Sequence, residues 1–497
     1  MVDWVMRGVP RALAMDGWWL SDHCAAVDPV RGNGRGLAGR APDRYSRGAA
    51  AAILLLVGFG DFLFYGQAVG LSLAVFAGAV FLAALLTQPA GERLRPAVLL
   101  FLSALPVIDY VQALSLAFLA VGLTASLLWA RGGTGVLVAR GLALWASLPW
   151  RGIGDGVRGT AMVVQSDVLR GQWRAARGWA FPAGGALVLA GLLLLANPLL
   201  AQLLSELFAI RGEGVVTIGR VLLWLGLALV LWPLFAVPPP ALTTALPALP
   251  ARLRPGAQSV ARGLFVFNAI LGLQTLMDVA YLWGGATLPE GMTAAQYAHR
   301  GAYPLLVTAL LAGTFALAAR PFAREDRGLR WLLLLWLAQN VALVLSALLR
   351  LELYVEAFGL TYLRLHSAIW MGLVAAGLGL TAWQVWRGRT NLWLVTRTAG
   401  LTVATLYTAC FVNFAAVIAT ENLTRERFDG AYVCRLGPTA AAAIMASGVE
   451  VRVIYPSGLD VGACPAEGPK IDGWRDWGFR NWRVRRYLDQ MPVTERP

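Results

Sequence analysis

Long apolar runs separated by short arginine-rich segments constrain this chain more than any other feature of its sequence. Of its 497 residues, 58% are hydrophobic and 14% are charged, and the apolar residues come in continuous blocks. A soluble core cannot bury so much uninterrupted apolar sequence, whereas a lipid bilayer can surround it. The sequence therefore predicts an all-α integral membrane protein, with the lipid bilayer as its main partner.

The apolar runs predict about eleven membrane-spanning helices, within limits of ten and twelve. A helix needs about 20 residues to cross a bilayer, so the short run 97–108 is expected to form a tight hairpin with 111–130. The predicted spans are 49–66, 68–87, 97–108, 111–130, 178–197, 216–236, 261–283, 302–319, 331–349, 366–385 and 398–419.

The segment 134–150 is apolar, but Arg140 lies near its middle, where a charge is costly to insert. Arginine distribution gives a second test, because cytoplasmic loops are enriched in arginine and an extra crossing would invert every later loop. With 134–150 at the membrane interface, 26 arginines before the tail fall inside and five fall outside. The five outside are Arg211, Arg220, Arg300, Arg350 and Arg364. This asymmetry favours eleven spans and a cytoplasmic N-terminus.

The same topology divides the chain into three parts. Residues 1–48 are polar and glycine-rich, and are predicted to be a mostly disordered cytoplasmic head. Residues 49–420 form the transmembrane domain, with an interfacial and cytoplasmic segment at 131–177 and a cytoplasmic linker at 237–260. Residues 421–497 are predicted to form a small C-terminal appendage on the outer side of the membrane. The abundance of alanine, glycine and arginine suggests a bacterial source, so the expected location is an inner membrane with this appendage in the periplasm.

Two of the four cysteines, Cys434 and Cys464, fall in the predicted periplasmic tail. Disulfides persist in the periplasm, so a Cys434–Cys464 bridge is the expected pairing, with two free buried thiols as the alternative. Cys410 lies within a predicted span and Cys24 in the head, so neither is expected to pair.

Motifs of soluble enzymes do not fit this chain. The glycine pattern at 154–159 lacks a preceding strand, and no catalytic motif, metal site or cofactor-binding site is recognisable. The basic, aromatic stretch 474–489 resembles single-stranded nucleic-acid binders, but outside a membrane it is better interpreted as an amphipathic helix. It is predicted to rest on lipid headgroups or on the helix bundle, and no nucleic-acid partner is expected.

Titratable and polar groups concentrate near the predicted outer side of the membrane. Ionisable residues within spans are costly and are functional candidates by default. The candidates are Asp61, Asp109, Asp278, Tyr297, His299, Arg300, Gln339, Asn340, Arg350, Tyr354, Glu356, Tyr362, Arg364 and His366.

Two interpretations of this cluster are open. Carboxylates and arginines at one depth are expected to pair, which would make the cluster an ion-paired lid that joins helix ends and loops. Alternatively, the cluster forms a periplasm-facing pocket for an ion, a lipid headgroup or a small polar solute, centred on Asp278, His299 and Arg300. Metal binding by Asp278 and two histidines is a weaker alternative, because nothing fixes their spacing.

Several segments carry a family resemblance. They are GDFLFYGQAVGLSLAVF (60–76), LPVIDYVQALSLAFLAVGL (105–123), the stretch 278–313 that contains AQYAHRGAYP, the stretch 336–374 that contains LRLELYVEAFGLTYLRLHSAIW, LYTACFVNFAAVIA (406–419) and WRDWGFRNWRVRRYL (474–488). Together they resemble an uncharacterised bacterial multi-pass membrane family, a domain of unknown function of the 4153/4173 type. The resemblance implies an integral membrane location, without an activity, substrate or cofactor.

Three functional hypotheses follow. The first is binding or transport of a small polar or lipid-headgroup ligand at the outer cluster, which predicts a polar cavity lined by Asp278, Asn340 and Arg364. The second is a non-catalytic sensor or assembly partner that uses the tail. The third is a membrane-embedded enzyme acting on a lipid-linked substrate, for which Asp278 or His299 would be the acid or base.

Overall fold

In a computed structural model of the chain, the described residues are 41–88, 90–134, 137–164, 189, 193, 218–236, 256–280, 311–317, 319–454, 460–464 and 467–491. Most of the predicted head, Cys24, the predicted span 178–197 apart from two residues, and most of the cytoplasmic linker lie outside them. Residues 302–310 of another predicted span and the candidates Tyr297, His299 and Arg300 also lie outside them.

The N-terminal helices pack around one apolar core, in which Ile53, Val80, Leu127 and Leu231 are almost completely buried. Their uninterrupted apolar sequences favour helices because every backbone polar group is then satisfied within the segment. The helices are α1 (Ala41–Phe64), α2 (Leu71–Thr87), α3 (Leu94–Asp109), α4 (Ala113–Gly132), α5 (Leu137–Val164) and α6 (Ile218–Phe235).

A second group of helices surrounds another apolar core, which contains Leu264, Leu333, Leu337 and Leu378. This group consists of α7 (Ala257–Asp278), residues 311–317 and 319–325, α8 (Arg327–Phe358) and α9 (Tyr362–Arg387). Helix α10 (Asn391–Phe411) joins the two groups, because it contacts α9 on one side and α3 and α4 on the other.

Polar caps set the ends of these helices. Asp326 accepts a hydrogen bond from the Gly328 amide at the start of α8 (2.7 Å), and Thr361 caps α9 in the same way. Gly388 ends α9 in the left-handed conformation (φ 64°), which a residue with a side chain adopts less readily. The caps explain why α8 and α9 are longer than the predicted spans 331–349 and 366–385.

The tail forms a small mixed unit around Ile418, Val433, Ala440 and Val451. Its elements are α11 (Phe414–Leu423), α12 (Gly430–Cys434), a 3-10 turn (Pro438–Ala440), α13 (Ala441–Ala446), an antiparallel pair β1 (Arg452–Ile454) and β2 (Asp460–Ala463), and α14 (Phe479–Asp489). Cys434 and Cys464 are joined by a disulfide with Cα atoms 5.8 Å apart, as the tail sequence predicts. Cys410 is free and buried.

Four described helices are long and apolar enough to cross a membrane: α4, α7, α8 and α9. Helices α10 and α11 would make a fifth if this pair, bent by 68°, counts as one span. Shorter apolar helices occur at Gly48–Phe64, Leu71–Thr87, Leu137–Leu148 and Gly219–Phe235. The chain is therefore helical and has several candidate membrane spans, and the total of eleven stays a prediction.

The helix bounds differ from the predicted segments at two places. Helix α1 begins at Ala41, whereas its apolar part begins at Gly48, and the boundary at residue 48 between head and transmembrane domain stays a prediction. The predicted span 398–419 is not one straight helix, because Asn413 caps α11 by accepting a hydrogen bond from the Ala416 amide (3.2 Å). Apolar periodicity continues across this break, so the pattern alone could not locate it.

Residues 137–150 of the segment 134–150 belong to α5, which continues to Val164 and packs along α6. Gly152 permits this packing, since a Cβ atom at this position would overlap the backbone of Leu229. The position of α5 relative to a membrane stays a prediction.

Contacts divide the helix ends into two groups. Gln88 at the end of α2 donates a hydrogen bond to the Phe235 carbonyl at the end of α6 (2.7 Å). At the opposite ends, Arg220 near the start of α6 pairs with Asp61 near the end of α1. We refer to the second group as the outer ends, because the arginine distribution predicts that they are periplasmic.

Candidate functional site

Three carboxylates at the outer helix ends each pair with an arginine. In the first pair, Arg220 Nε donates to Asp61 Oδ1 (2.8 Å), and a second guanidinium nitrogen contacts Oδ2. The Trp224 indole donates to the same Oδ1 (2.9 Å), and the Arg220 guanidinium lies 5.1 Å from the centre of the Tyr65 ring. This pair joins α1 to α6, and both of its side chains keep partial contact with solvent.

The second pair joins the tail to the bundle. Arg480 in α14 contacts Asp109 Oδ2 through Nε (3.0 Å) and a terminal nitrogen (2.5 Å). The same terminal nitrogen donates to the Cys410 carbonyl at the end of α10 (2.5 Å), and the guanidinium lies over Tyr110. Arg480 is 3% exposed, so α14 is held against the outer ends of α3 and α10 by a buried charge.

The third pair is the most deeply buried. Arg350 in α8 contacts Asp278 at the end of α7, and these two residues are 3% and 1% exposed. Gln274 also donates to Asp278 Oδ1 (2.8 Å). The predicted pocket centre at Asp278 is thus occupied by protein partners, as the ion-paired interpretation of the cluster expects.

Buried amides follow the same α7–α8 interface inward from this pair. The Asn268 amide donates to the carbonyl of Leu332 (3.0 Å), and the Asn340 amide donates to that of Trp336 (2.8 Å). Gln339 lies next to Gly272 across the same interface. The Asn340 bond lies within α8, whereas the Asn268–Leu332 bond and the Asp278–Arg350 pair join α7 to α8 and fix the register of these two parallel helices.

The remaining candidates line the turn between α8 and α9. Arg364 donates to the carbonyl of Phe358 (2.9 Å) and stacks over Tyr354 with its guanidinium 4.4 Å from the ring centre. The Glu356 carbonyl accepts from Arg425 (2.7 Å). Arg364 therefore closes the end of α8. The sequence had instead placed it with Asp278 in the lining of a pocket.

Two aromatic candidates lie at the start of α9, where the tail meets it. The Tyr362 amide donates to the hydroxyl of Tyr432 in the tail (2.9 Å). His366 packs edge-on against Phe414 with ring centres 5.5 Å apart. These contacts anchor the tail unit on α9.

A cavity of about 340 Å³ lies between this turn and the tail. We call it the outer cavity. It is lined by Ala357, Phe358, Gly359, Leu360, Asn422, Arg427, Phe428, Asp429 and Tyr432.

The wall of the outer cavity is rigidly connected. Asn422 accepts a hydrogen bond from the Leu360 amide (2.6 Å) and donates one to the Leu360 carbonyl (2.9 Å). Gly359 has φ 77°, and a Cβ there would lie 2.8 Å from Asn422 Oδ1, so both backbone conformation and space require glycine. On the tail side, Asp429 accepts from the Tyr432 amide (3.0 Å) and caps α12.

Arg427 distinguishes this cavity chemically. Its side chain is exposed, and none of the described residues forms a hydrogen bond or ion pair with it. The cavity lining combines Arg427 with three aromatic residues, Phe358, Phe428 and Tyr432, and a guanidinium offers planar donors suited to a phosphate or carboxylate.

Sequence analysis missed several of these residues. Arg220 was counted among the outer arginines, and Arg480 lies in the basic, aromatic tail segment. The sequence therefore drew attention to both residues, but it did not identify the carboxylate that each one binds. Asn422 and Arg427 lie just beyond the last predicted span, where sequence gives no spatial neighbour. The lining of the outer cavity comes from two segments about 60 residues apart, so the fold must bring it together.

Taken together, these features define a helical protein with several apolar helices able to span a membrane and a small tail unit packed on one set of helix ends. The chain belongs to the family described as Domain of unknown function (DUF4153), whose model matches residues 95–446. Searches of curated proteins and of solved structures found no match.

Proposed function

We propose that this protein is a bacterial inner-membrane protein that binds a small anionic group, a phosphate or a carboxylate, in the outer cavity on the periplasmic side. This retains the predicted outer-face binding function but moves its centre from Asp278 to Arg427. The single observation that carries the proposal is a guanidinium without a described partner at an aromatic-walled cavity.

The size and chemistry of the cavity support binding of a small ligand. Ligand pockets generally measure about 300–1,000 Å³ and combine apolar walls with a few oriented polar groups. A volume of about 340 Å³ accommodates a glycerol phosphate or a short carboxylate, but not a large cofactor. Asp429 in the lining disfavours a ligand with a second negative group close by.

The rigidity of the wall also supports the proposal. The two Asn422–Leu360 hydrogen bonds and the Tyr362–Tyr432 hydrogen bond hold the bundle side and the tail side together. A preformed site loses less conformational entropy when a ligand binds. Transport is not part of the proposal, because Asp278 is paired with Arg350 instead of lining an open path.

The test uses the purified full-length protein and two sources of phosphate. Soluble glycerol 3-phosphate is titrated calorimetrically, and phosphatidylglycerol is supplied in nanodiscs of otherwise neutral phosphatidylcholine. We expect Arg427→Gln to weaken binding by at least about tenfold, the effect of losing a charged hydrogen bond. Arg435→Gln is the matched control, since Arg435 is an exposed tail arginine outside the cavity.

The two arms identify the source of the ligand. Binding of glycerol 3-phosphate that depends on Arg427 indicates a free solute, and Arg427-dependent retention of phosphatidylglycerol alone indicates a lipid headgroup. Equal binding by wild type, Arg427→Gln and Arg435→Gln, or no binding in either arm, overturns the proposal.

A further inference from the structure

The basic, aromatic end of the tail has two faces with different environments. Arg480 and Val484, one helical turn apart in α14, are 3% and 5% exposed and face the protein. Phe479 and Trp482 are 43% and 36% exposed and belong to the opposite side. The sequence left open whether this segment rests on lipid or on the bundle, and the structure shows that one face already rests on the bundle.

The bundle-facing side fixes the depth of this segment. The Leu71 amide at the start of α2 donates to the Trp477 carbonyl (2.8 Å), and Gly70 allows the close approach. Arg480 reaches Asp109, the last residue of α3. The segment therefore crosses the outer helix ends, the level at which membrane helices meet lipid headgroups.

The segment also reaches the perimeter of the bundle. The guanidinium of Arg475 lies 4.1 Å from the centre of the Phe62 ring. Phe62 is 54% exposed and lies two turns after Leu55, which is 75% exposed on the same side of α1. In a bilayer this apolar side of α1 faces lipid, so Arg475 is placed at the edge of the lipid-facing surface.

The outward face of α14 is strongly basic and interleaved with aromatic rings. Arg483 lies over Phe479 (6.0 Å) and Arg486 over Trp482 (5.3 Å), and no described carboxylate pairs with either arginine. From Phe479 to Asp489 the sequence has four arginines and one aspartate. This combination differs from an ordinary solvated face, where both signs of charge are mixed.

We propose that this outward face binds the phosphate headgroups of anionic phospholipids in the outer leaflet. The face consists of Trp474 and Arg475, which precede α14, and of Phe479, Trp482, Arg483 and Arg486 within it. Arginine binds phosphate through planar, paired donors, and tryptophan is enriched at the depth of the headgroups. The positive charge of the face is complementary to an anionic lipid surface. Its position at the level of the outer helix ends favours lipid over an acidic protein, because a protein partner could bind the tail at any distance from the membrane. The surface is separate from the outer cavity and does not depend on the function proposed there.

The experiment measures lipid selectivity of the full-length protein. Wild type is reconstituted with equal amounts of phosphatidylglycerol and phosphatidylcholine, and the lipids retained after mild detergent extraction are quantified by native mass spectrometry. The test variant Arg483→Gln/Arg486→Gln removes two charges from the proposed surface. The control Arg435→Gln/Lys470→Gln removes two exposed charges from tail residues that lie outside α14.

We expect wild type and control to retain phosphatidylglycerol preferentially, and the test variant to lose about 10- to 30-fold in preference. An unchanged melting temperature in phosphatidylcholine alone shows that the variant remains folded. Equal retention of both lipids by wild type, or unchanged preference in the test variant, overturns the proposal. Loss of a co-purifying acidic protein without a change in lipid preference likewise overturns it and assigns the face to a protein partner.

Discussion

At the scale of single residues, the three outer carboxylates have different environments. Asp61 and its partner Arg220 keep part of their side chains in contact with solvent, whereas Asp278 and Arg350 are almost fully enclosed. A buried ion pair contributes little net stability over an apolar pair, but removal of one partner leaves a buried charge that is costly. The same substitution should therefore have unequal effects at the two sites.

We predict that Asp278→Asn destabilises the protein by about 3–5 kcal/mol, because Arg350 remains buried without this carboxylate. Asp61→Asn is the matched comparison and should cost about 1 kcal/mol, since Arg220 can be solvated. Thermal unfolding in mild detergent provides the measurement. Equal melting temperatures for Asp278→Asn and wild type would show that the pair does not stabilise the fold.

The sequence predicts that the outer carboxylates form ion pairs, but it does not predict which arginine pairs with each of them. Charges at one depth in a membrane are expected to pair, and Asp61, Asp109 and Asp278 do so. Arg480 lies 371 residues from Asp109 in the chain, so no local pattern connects them. Arg364 donates to the Phe358 carbonyl in its own turn, a local contact that the distribution of charges along the sequence does not specify.

At the scale of elements, α14 is held mainly through one buried side chain. Arg480 binds Asp109 and the Cys410 carbonyl, and it stacks on Tyr110. Charged hydrogen bonds contribute more than neutral ones, so loss of this guanidinium removes most of the polar attachment of α14.

We predict that Arg480→Gln increases the rate of chymotrypsin cleavage after the exposed aromatic residues of α14 by about tenfold or more. Arg435→Gln is the control, because Arg435 is an exposed tail arginine that donates to the Ala431 carbonyl, outside α14 (3.1 Å). Chymotrypsin is used because neither substitution alters its cleavage sites. Similar cleavage rates for wild type and Arg480→Gln would mean that α14 is held by other contacts.

The helix bounds also show where the apolar pattern of the sequence predicts a helix correctly and where it does not. The runs 331–349 and 366–385 lie within α8 and α9, and 111–130 is helical from Ala113 onward, because long uninterrupted apolar sequences have few alternatives in lipid. The break between α10 and α11 depends on Asn413, a single polar residue whose amide also bonds the Thr439 carbonyl in the tail (2.9 Å). Such a tertiary contact is invisible to periodicity.

At the scale of the whole molecule, two helical cores are joined at the outer ends by the tail. Helix α10 contacts α3, α4 and α9, and α14 contacts α3 and α13. The sequence predicted a tail appended to a bundle, whereas α11 is part of the tail core through Ile418 and Ala419. The outer cavity exists because this tail core packs on the turn between α8 and α9. The residues that line the cavity could therefore not be identified from the sequence alone.

The central claim is that the tail, the outer cavity and the paired carboxylates share the periplasmic side of a membrane. Labelling with a membrane-impermeant maleimide tests it most directly, in intact cells that express the protein without its head cysteine (Cys24→Ala). Lys470→Cys and Glu325→Cys place exposed thiols in the tail and at the opposite, inner helix ends. We predict labelling of Lys470→Cys in intact cells and of Glu325→Cys only after permeabilisation. The reverse pattern, with Glu325→Cys labelled and Lys470→Cys protected, would contradict the claim.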